Sequence, residues 1–100
     1  MPNPGNRMAR STHHQHYQSL LTLLRTLREE AGVTQAELGE RIANTQTFVS
    51  KIERGERRVD VVEFTEICEA LETDAGAAFQ RFLDIRKRER ATAKVRSRNR

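Results

Sequence analysis

The sequence is poor in cysteine and contains no long apolar run. Its 100 residues include a single cysteine, so a disulfide bond within the chain is excluded. No stretch approaches the roughly 20 apolar residues that a membrane-spanning helix needs, and the N-terminus lacks the apolar core of a signal peptide. We therefore expect a cytoplasmic protein with no membrane partner, in which Cys68 is a buried, reduced thiol.

Apolar residues and strand patterns are also scarce. Apolar residues make up 36% of the chain and charged residues 32%, which is little apolar material for a fully packed chain. The length corresponds to one domain, so we expect part of the chain to lie outside the packed core. Because no segment alternates apolar and polar residues as a strand does, the predicted class is all-α.

No residue pattern indicates catalysis or a bound cofactor. The chain has no recognisable nucleophile–base pair, phosphate-binding loop or paired carboxylates, so we do not expect an enzyme. His13, His14 and His16 are close together, but no cysteine or carboxylate stands near them in the sequence. We therefore expect no metal site there.

Positive charge is concentrated at the C-terminal end. Residues 86–100 hold eight of the 18 Lys and Arg residues and one of the 14 acidic residues, a net charge of +7. The total of +4 therefore leaves −3 for residues 1–85. This basic tail either follows DNA phosphates as a disordered chain, binds RNA or an acidic partner, or is inert. We favour the first interpretation, because cations gain affinity for DNA by releasing counterions.

Composition and periodicity divide the chain into three segments. Residues 1–16 are polar, contain proline and glycine and show no periodicity, so we expect a flexible arm. Residues 17–85 carry apolar residues at helical spacing and form the compact domain. The basic tail follows as residues 86–100, where we expect at most a turn or two more of the last helix.

Apolar spacing and capping residues predict five helices in the compact domain. The first begins at Tyr17, and Gly32 ends it, as glycine often does just past a helix. Each of the other four begins at a residue type that caps helices, namely Thr34, Thr45, Asp60 and Asp74. A glutamate three positions after Thr34 and after Asp60 completes a capping box at these two starts.

Residues 34–55 are the most informative segment, because they form two short helices joined by a tight turn. Helices this short are not stable alone. They must therefore cross, through Leu38 and Ile42 on one helix and Val49 and Ile52 on the next, and pack on the first and fourth helices. The outward side of the later helix carries polar residues, Gln46, Thr47, Ser50 and Lys51.

These outward side chains suit the base edges of DNA. An amide pairs bidentately with adenine, an ammonium group reaches the acceptors of guanine, and a threonine methyl touches thymine. Gln35 begins the second helix, where free backbone amides and the helix dipole favour a phosphate. We therefore expect a small protein that inserts the helix at residues 46–54 into the major groove of double-stranded DNA.

Three stretches closely resemble the Cro/CI-type helix-turn-helix family, also called the XRE family. They are LREEAGVTQAEL at 27–38, FVSKIERGERR at 48–58 and ICEAL at 67–71. The resemblance covers roughly residues 18–83 and implies a lambda-repressor-like domain. Members of this family are typically transcriptional repressors or activators, often dimeric on palindromic operators.

The resemblance also implies roles for single residues. It makes Gln35 a phosphate contact and places Gln46, Thr47, Ser50 and Lys51 in the major groove. Glu53 matches a glutamate that acts as a structural hydrogen-bonding or ion-pair partner. The arginines expected to meet the phosphate backbone, unless they form only a solvated basic loop, are Arg54, Arg57 and Arg58.

Two positions carry open alternatives of local structure. Phe48 either touches a thymine methyl or a sugar, or packs against the second helix, which we favour slightly. At Ala43 the family usually has glycine, in a backbone that is commonly left-handed. A left-handed conformation costs a non-glycine residue about 1–2 kcal/mol, so we expect strain in this turn.

The partner of the domain is also open. Phe79, Phe82 and Leu83 lie on a late helix and either form the seam of a homodimer or close the domain's own core. The leading function is a transcriptional regulator that binds its operator as a dimer. The alternative is a protein-binding module, such as an antitoxin that neutralises a toxin, with secondary or no DNA binding. Exposed polar groups favour DNA, because protein-binding faces are more often apolar or aromatic.

Overall fold

A computed structural model of the chain describes residues 14–98 and confirms the compact all-α class. The five helices, in order, are α1 (Gln15–Glu30), α2 (Gln35–Arg41), α3 (Gln46–Glu53), α4 (Val61–Ala70) and α5 (Ala75–Arg98). No strand occurs within this described part of the chain. The tightest pair is α2 with α3, and this pair packs on α1 and α4 as predicted, while α5 covers α1 and α4.

Side-chain caps set the starts of the helices as the sequence indicates. At the start of α2 the Thr34 hydroxyl accepts from the Glu37 amide at 3.1 Å, and the Glu37 carboxylate accepts from the Thr34 amide at 3.0 Å. The same reciprocal pair joins Asp60 and Glu63 at α4. The Thr45 hydroxyl caps α3 by accepting from an amide at 3.1 Å, and the Asp74 carboxylate caps α5 by accepting from the Ala77 amide at 2.7 Å. All four predicted starts are therefore confirmed.

A single apolar core joins all five helices. Its buried members are Leu21, Leu23, Leu24, Leu27, Val33, Leu38, Val49, Ile52, Phe64, Ile67, Cys68, Leu71 and Ala78. The Cys68 thiol is completely buried, as predicted, and burial raises its pKa. The thiol is therefore protonated at neutral pH and packs as a small apolar group. No helix among residues 14–98 combines the length and apolar character that crossing a membrane requires.

The first helix begins earlier than predicted. His14 is the N-cap of α1, and its Nδ1 atom accepts from the His16 amide at 3.1 Å. The predicted arm is therefore wrong for residues 14–16, because an imidazole replaces the usual capping hydroxyl or carboxylate. Residues 1–13 of that arm lie outside the described residues.

The last helix runs much further than predicted. α5 continues to Arg98, whereas a turn or two of helix was expected beyond Arg86, so the disordered chain expected for the rest of the tail is wrong as far as residue 98. Alanine, arginine and lysine favour helix without needing burial, so the loss of an apolar pattern does not end the helix. In addition, Glu89 bonds to side chains of α1, which holds this part of the helix on the domain.

The turn between α2 and α3 is strained at the position that the sequence indicates. Ala43 has φ of 55°, in the left-handed region that favours glycine. The next residue stabilises the turn, because the Asn44 side chain accepts from the Thr45 amide at 2.9 Å. Glu72 has the same φ of 55° in the turn between α4 and α5, which the sequence did not indicate.

Close approach of α2 to α3 requires a glycine. A Cβ atom on Gly39 would stand 2.7 Å from both the carbonyl carbon and the oxygen of Thr45. Backbone atoms cannot move aside as a flexible side chain does. The absence of a side chain at Gly39 is therefore what lets α2 and the start of α3 approach closely.

We expect Ala43→Gly to raise the melting temperature. The substitution removes a steric cost of about 1–2 kcal/mol and adds a smaller unfolded-state entropy cost of about 0.5–1 kcal/mol. The net gain should raise Tm by a few degrees, measured by circular dichroism during heating. Ala36→Gly, inside α2, is the matched control and should lower Tm. A lower Tm for Ala43→Gly would contradict strain at this turn.

We expect Gly39→Ala to destabilise the domain. The added methyl group must push α2 away from the backbone at Thr45, and such overpacking costs about 1–3 kcal/mol. Urea denaturation measures the loss. Gly76→Ala serves as the comparison, since its Cβ would meet only a carboxylate oxygen of Asp74, at 3.1 Å. Equal stabilities of the two variants would show that α2 and α3 can separate without cost.

Candidate nucleic-acid interface

The α2–turn–α3 unit presents one side of α3 to solvent. Val49 and Ile52 are buried on the inner side of the helix. We use "reading face" for the four polar residues on the other side, Gln46, Thr47, Ser50 and Lys51. Three of these side chains are exposed and Ser50 is half-buried. None of the four forms a side-chain hydrogen bond or ion pair within the described residues.

A buried carboxylate fixes the other end of α3. The Arg28 guanidinium donates to both carboxylate oxygens of Glu53, with Nε–Oε2 at 2.7 Å and Nη2–Oε1 at 3.1 Å. The side chains of Arg28 and Glu53 are only 11% and 7% exposed, so the pair is shielded from water. The Glu53 hydrogen bond raises the pKa of Arg28 further above its ordinary value. The predicted structural role of Glu53 is confirmed.

Gln35 joins the same network from α2. Its side-chain amide donates to Glu53 Oε1 at 2.9 Å, while Arg28 also donates to the carbonyl of Val33 at 2.9 Å. One carboxylate thus links α1, α2 and α3. An amide nitrogen carries two hydrogens, so Gln35 keeps a second donor for the phosphate role that the resemblance implies. That role stays a prediction.

Phe48 belongs to the packed side of α3. Its ring is half-buried against the core, and the Arg57 guanidinium carbon lies 4.4 Å from the ring centroid. Such a stacked cation and ring attract each other. The structure thus favours packing, the alternative that the sequence analysis slightly preferred, over contact with a base.

Each arginine after α3 has a partner within the domain. Arg54 pairs with Glu56 at 2.6 Å, and Arg57 pairs with Glu63 at 2.9 Å. The Glu63 hydrogen bond raises the pKa of Arg57, and the Arg57 guanidinium in turn lowers the pKa of Glu63. The Arg58 guanidinium lies over the Tyr17 ring, 5.3 Å from its centroid. These contacts hold the arginine side chains of the loop in defined positions. A freely solvated basic loop would lack such contacts.

Sequence reasoning missed Tyr17 and Glu89. The Tyr17 hydroxyl accepts from the Val59 amide at 3.0 Å, which ties α1 to the loop after α3. Glu89 accepts from the Ser19 hydroxyl at 2.6 Å, and its Oε1 atom lies 2.8 Å from His16 Nδ1. The one sequence signal was that Glu89 is the single acidic residue among residues 86–100.

Comparisons with known proteins agree with this geometry. The helix-turn-helix domain family matches residues 19–82. A solved XRE-family like protein from Pseudomonas syringae pv. tomato str. DC3000 is 41% identical and has a TM-score of 0.70. The match covers 78% of this chain and 95% of that one.

Two other solved structures share the fold. The clp gene regulator ClgR from C. glutamicum is 26% identical with a TM-score of 0.62, covering 69% of this chain and 90% of its own. A restriction-modification controller protein is 22% identical with a TM-score of 0.65, covering 69% and 92%. No curated protein matches the sequence at a significant level. The chain therefore belongs to the helix-turn-helix domain family as an XRE-type member, and this is a family of DNA-binding regulatory domains.

Proposed function

We propose that this protein is a sequence-specific regulator of transcription that binds a palindromic operator as a homodimer, with α3 in the major groove. The reading face carries this proposal. Its four polar side chains have no partner among the described residues, while the neighbouring Glu53, Gln35 and Arg57 are engaged within the domain. Hydrogen-bonding groups left in water on a rigid helix are available to base edges at little cost.

The reading face divides into donors and apolar contacts for bases. The Gln46 amide suits the N6 and N7 positions of adenine, and the Lys51 ammonium suits the O6 and N7 acceptors of guanine. Thr47 offers a methyl group to thymine, and the Ser50 hydroxyl can donate or accept. Gln46 and Thr47 lie in the first turn of α3, the end that reaches base edges in this docking geometry.

Phosphate contacts come from both ends of the unit. Gln35 begins α2 and keeps one amide hydrogen for a phosphate. Arg54, Arg57 and Arg58 follow α3, and their exposed guanidinium groups can bind phosphates beside the groove. The carboxylate partners of Arg54 and Arg57 hold these two side chains in position and also reduce the local positive charge. We therefore expect them to orient the domain rather than to select sequence.

An exposed apolar patch supports a second copy as partner. Val61 is 80% exposed, Phe79 48% and Leu83 37%. Phe82 is half-buried and contributes to the core, and Phe79 contacts it at a centroid distance of 6.0 Å. Phe82 thus fills the core role that the sequence left open, while Phe79 and Leu83 are available for a twofold dimer. A twofold dimer matches the symmetry of a palindromic operator.

Selection of duplexes from a random pool, followed by anisotropy titration of the enriched duplex, tests this function. We expect an enriched sequence with twofold symmetry. Lys51→Ala and Gln46→Ala should each weaken binding by about 1–3 kcal/mol, which is roughly 5- to 150-fold in Kd. The reason is that each substitution removes a group that reads a base.

Matched control variants separate the loss of a base-reading group on α3 from the loss of the same charge or amide elsewhere. Lys87→Ala removes the same charge from α5, and Gln80→Ala removes the same amide. Lys87→Ala should weaken operator and scrambled duplex alike, and Gln80→Ala should change neither. Binding that is weak, sensitive to salt and indifferent to Lys51 and Gln46 would refute a sequence-reading α3. The alternative of a protein partner, such as a toxin, would then be favoured.

A further inference from the structure

The C-terminal half of α5 is fixed to the first turn of α1. We use "basic extension" for residues 86–98, in which Glu89 is the one acidic residue. Glu89 accepts from Ser19 Oγ at 2.6 Å and from Gln15 Nε2 at 3.2 Å, and it lies 2.8 Å from His16 Nδ1. The Ser19 hydrogen bond is the largest cause that lowers the pKa of Glu89, so the carboxylate is charged at neutral pH.

The direction of α5 carries the basic extension past the start of α1. Arg81 of α5 pairs with Glu30 at the end of α1, at 3.2 Å, whereas Glu89 meets the beginning of α1. The two helices are therefore antiparallel. Residues 90–98 of α5 come after the contact with Gln15, the first residue of α1, and project beyond the N-terminal end of that helix.

The same turn of α1 also holds the loop that follows α3. Tyr17 accepts a hydrogen bond from the Val59 amide, and its ring lies under Arg58. Two positively charged segments that are far apart in the sequence, the loop at residues 54–58 and the basic extension, are thus attached to one turn of α1. This convergence exists only in the folded chain.

Three exposed cations of the basic extension, Lys87, Arg90 and Lys94, are free to bind a polyanion. Arg86, Arg90 and Lys94 recur every four residues and therefore share one side of α5, next to Lys87. They line two adjoining surface grooves. Within the described residues none of them forms an ion pair with a carboxylate. They differ in this from Arg54 and Arg57, whose charges are partly compensated.

We propose that the basic extension is a second element that binds the DNA backbone, held in place by Glu89. It binds phosphates beyond those that the loop at residues 54–58 reaches. The inference rests on the proposed function, since it needs DNA bound through α3. The basic extension is an ordered helix and not a disordered counter-charge. Its position on α1 determines how many phosphates it meets. Glu89 is a positioning residue, because it acts through Arg90 and Lys94.

Removing Glu89 shows whether the basic extension acts through its position on α1 or through its charge alone. Glu89→Ala deletes a negative charge, so a tail that acts by charge alone would bind the selected duplex more tightly. We expect weaker binding, because the released extension loses phosphate contacts. The salt slope is the slope of log affinity against log salt concentration. Each lost phosphate contact lowers its magnitude by about 0.9, so the fall in affinity between 0.1 and 1 M salt becomes roughly eightfold smaller.

Asp84→Ala is the matched control, since it removes the same charge from the same helix. The Asp84 side chain bonds to Gln80 within α5 and to no residue of α1. We expect unchanged or slightly tighter binding for this variant. Equal tightening by Glu89→Ala and Asp84→Ala would overturn the proposal. Circular dichroism and Tm establish that both variants keep α1–α4 folded.

Neutralising the cations directly provides a second test that leaves Glu89 intact. Arg90→Gln and Lys94→Gln should each lower the salt slope by about one and weaken operator and scrambled duplex equally. Arg81→Gln, on α5 beside the C-terminal end of α1, should leave the salt slope unchanged. Unchanged slopes for Arg90→Gln and Lys94→Gln would overturn the proposal.

The two proposals can fail separately. If only the basic extension fails, Lys51→Ala still weakens binding of the selected duplex while the salt slopes of the α5 variants stay unchanged. If sequence reading itself fails, no duplex is enriched and Lys51→Ala has no effect. Tighter binding of single-stranded RNA than of the selected duplex, lost in Arg90→Gln, would also overturn DNA as the partner.

Discussion

The geometry of the helix-turn-helix unit depends on the buried carboxylate of Glu53. A shielded carboxylate is costly unless it is paired and fully hydrogen-bonded, and Glu53 is bonded by Arg28 and Gln35. These donors come from α1 and α2, while Glu53 ends α3. The orientation of α3 on the domain is therefore set by hydrogen bonds with defined angles as well as by apolar packing, which is less directional.

The division of polar groups around α3 explains how one short helix is held rigidly and still presents the polar face on which the proposed function depends. Side chains on its inner side and at its C-terminal end are satisfied within the domain, so they hold the helix rigidly. Gln46 and Lys51 are exposed and make no bond within the described residues, so in the proposed function they would exchange water for a base edge at little cost. Because the frame is already ordered, DNA binding does not have to supply the entropy of ordering α3.

Electrostatics in this protein are organised by the fold. Arg54 and Arg57, in the loop after α3, are held by carboxylates, whereas Arg90 and Lys94 of the basic extension have no such partner within the described residues. Both are attached to the first turn of α1, through Tyr17 and Glu89. The fold therefore attaches two basic segments that are distant in the sequence to the same turn of one helix.

Local signals in the sequence were sufficient for most of the fold and for the reading face. Capping at Thr34 and Asp60 and the outward side of α3 depend on residues at most about four positions apart, a range that helical geometry fixes. The left-handed backbone at Ala43 was expected from family resemblance. The structural role of Glu53 was expected from family resemblance, whereas its partners were not.

Tertiary structure decided what involves distant segments. The contacts of Glu89 with α1 join side chains 70 to 74 positions apart, and nothing near Glu89 in the sequence indicates them. For the same reason the sequence predicted a disordered tail where α5 continues, and it left Phe48 and Phe82 with two roles each. The sequence by itself determined the helices, their caps and the polar face of α3. Only packing determined which polar groups are engaged and where the basic extension lies, because those depend on how whole helices cross.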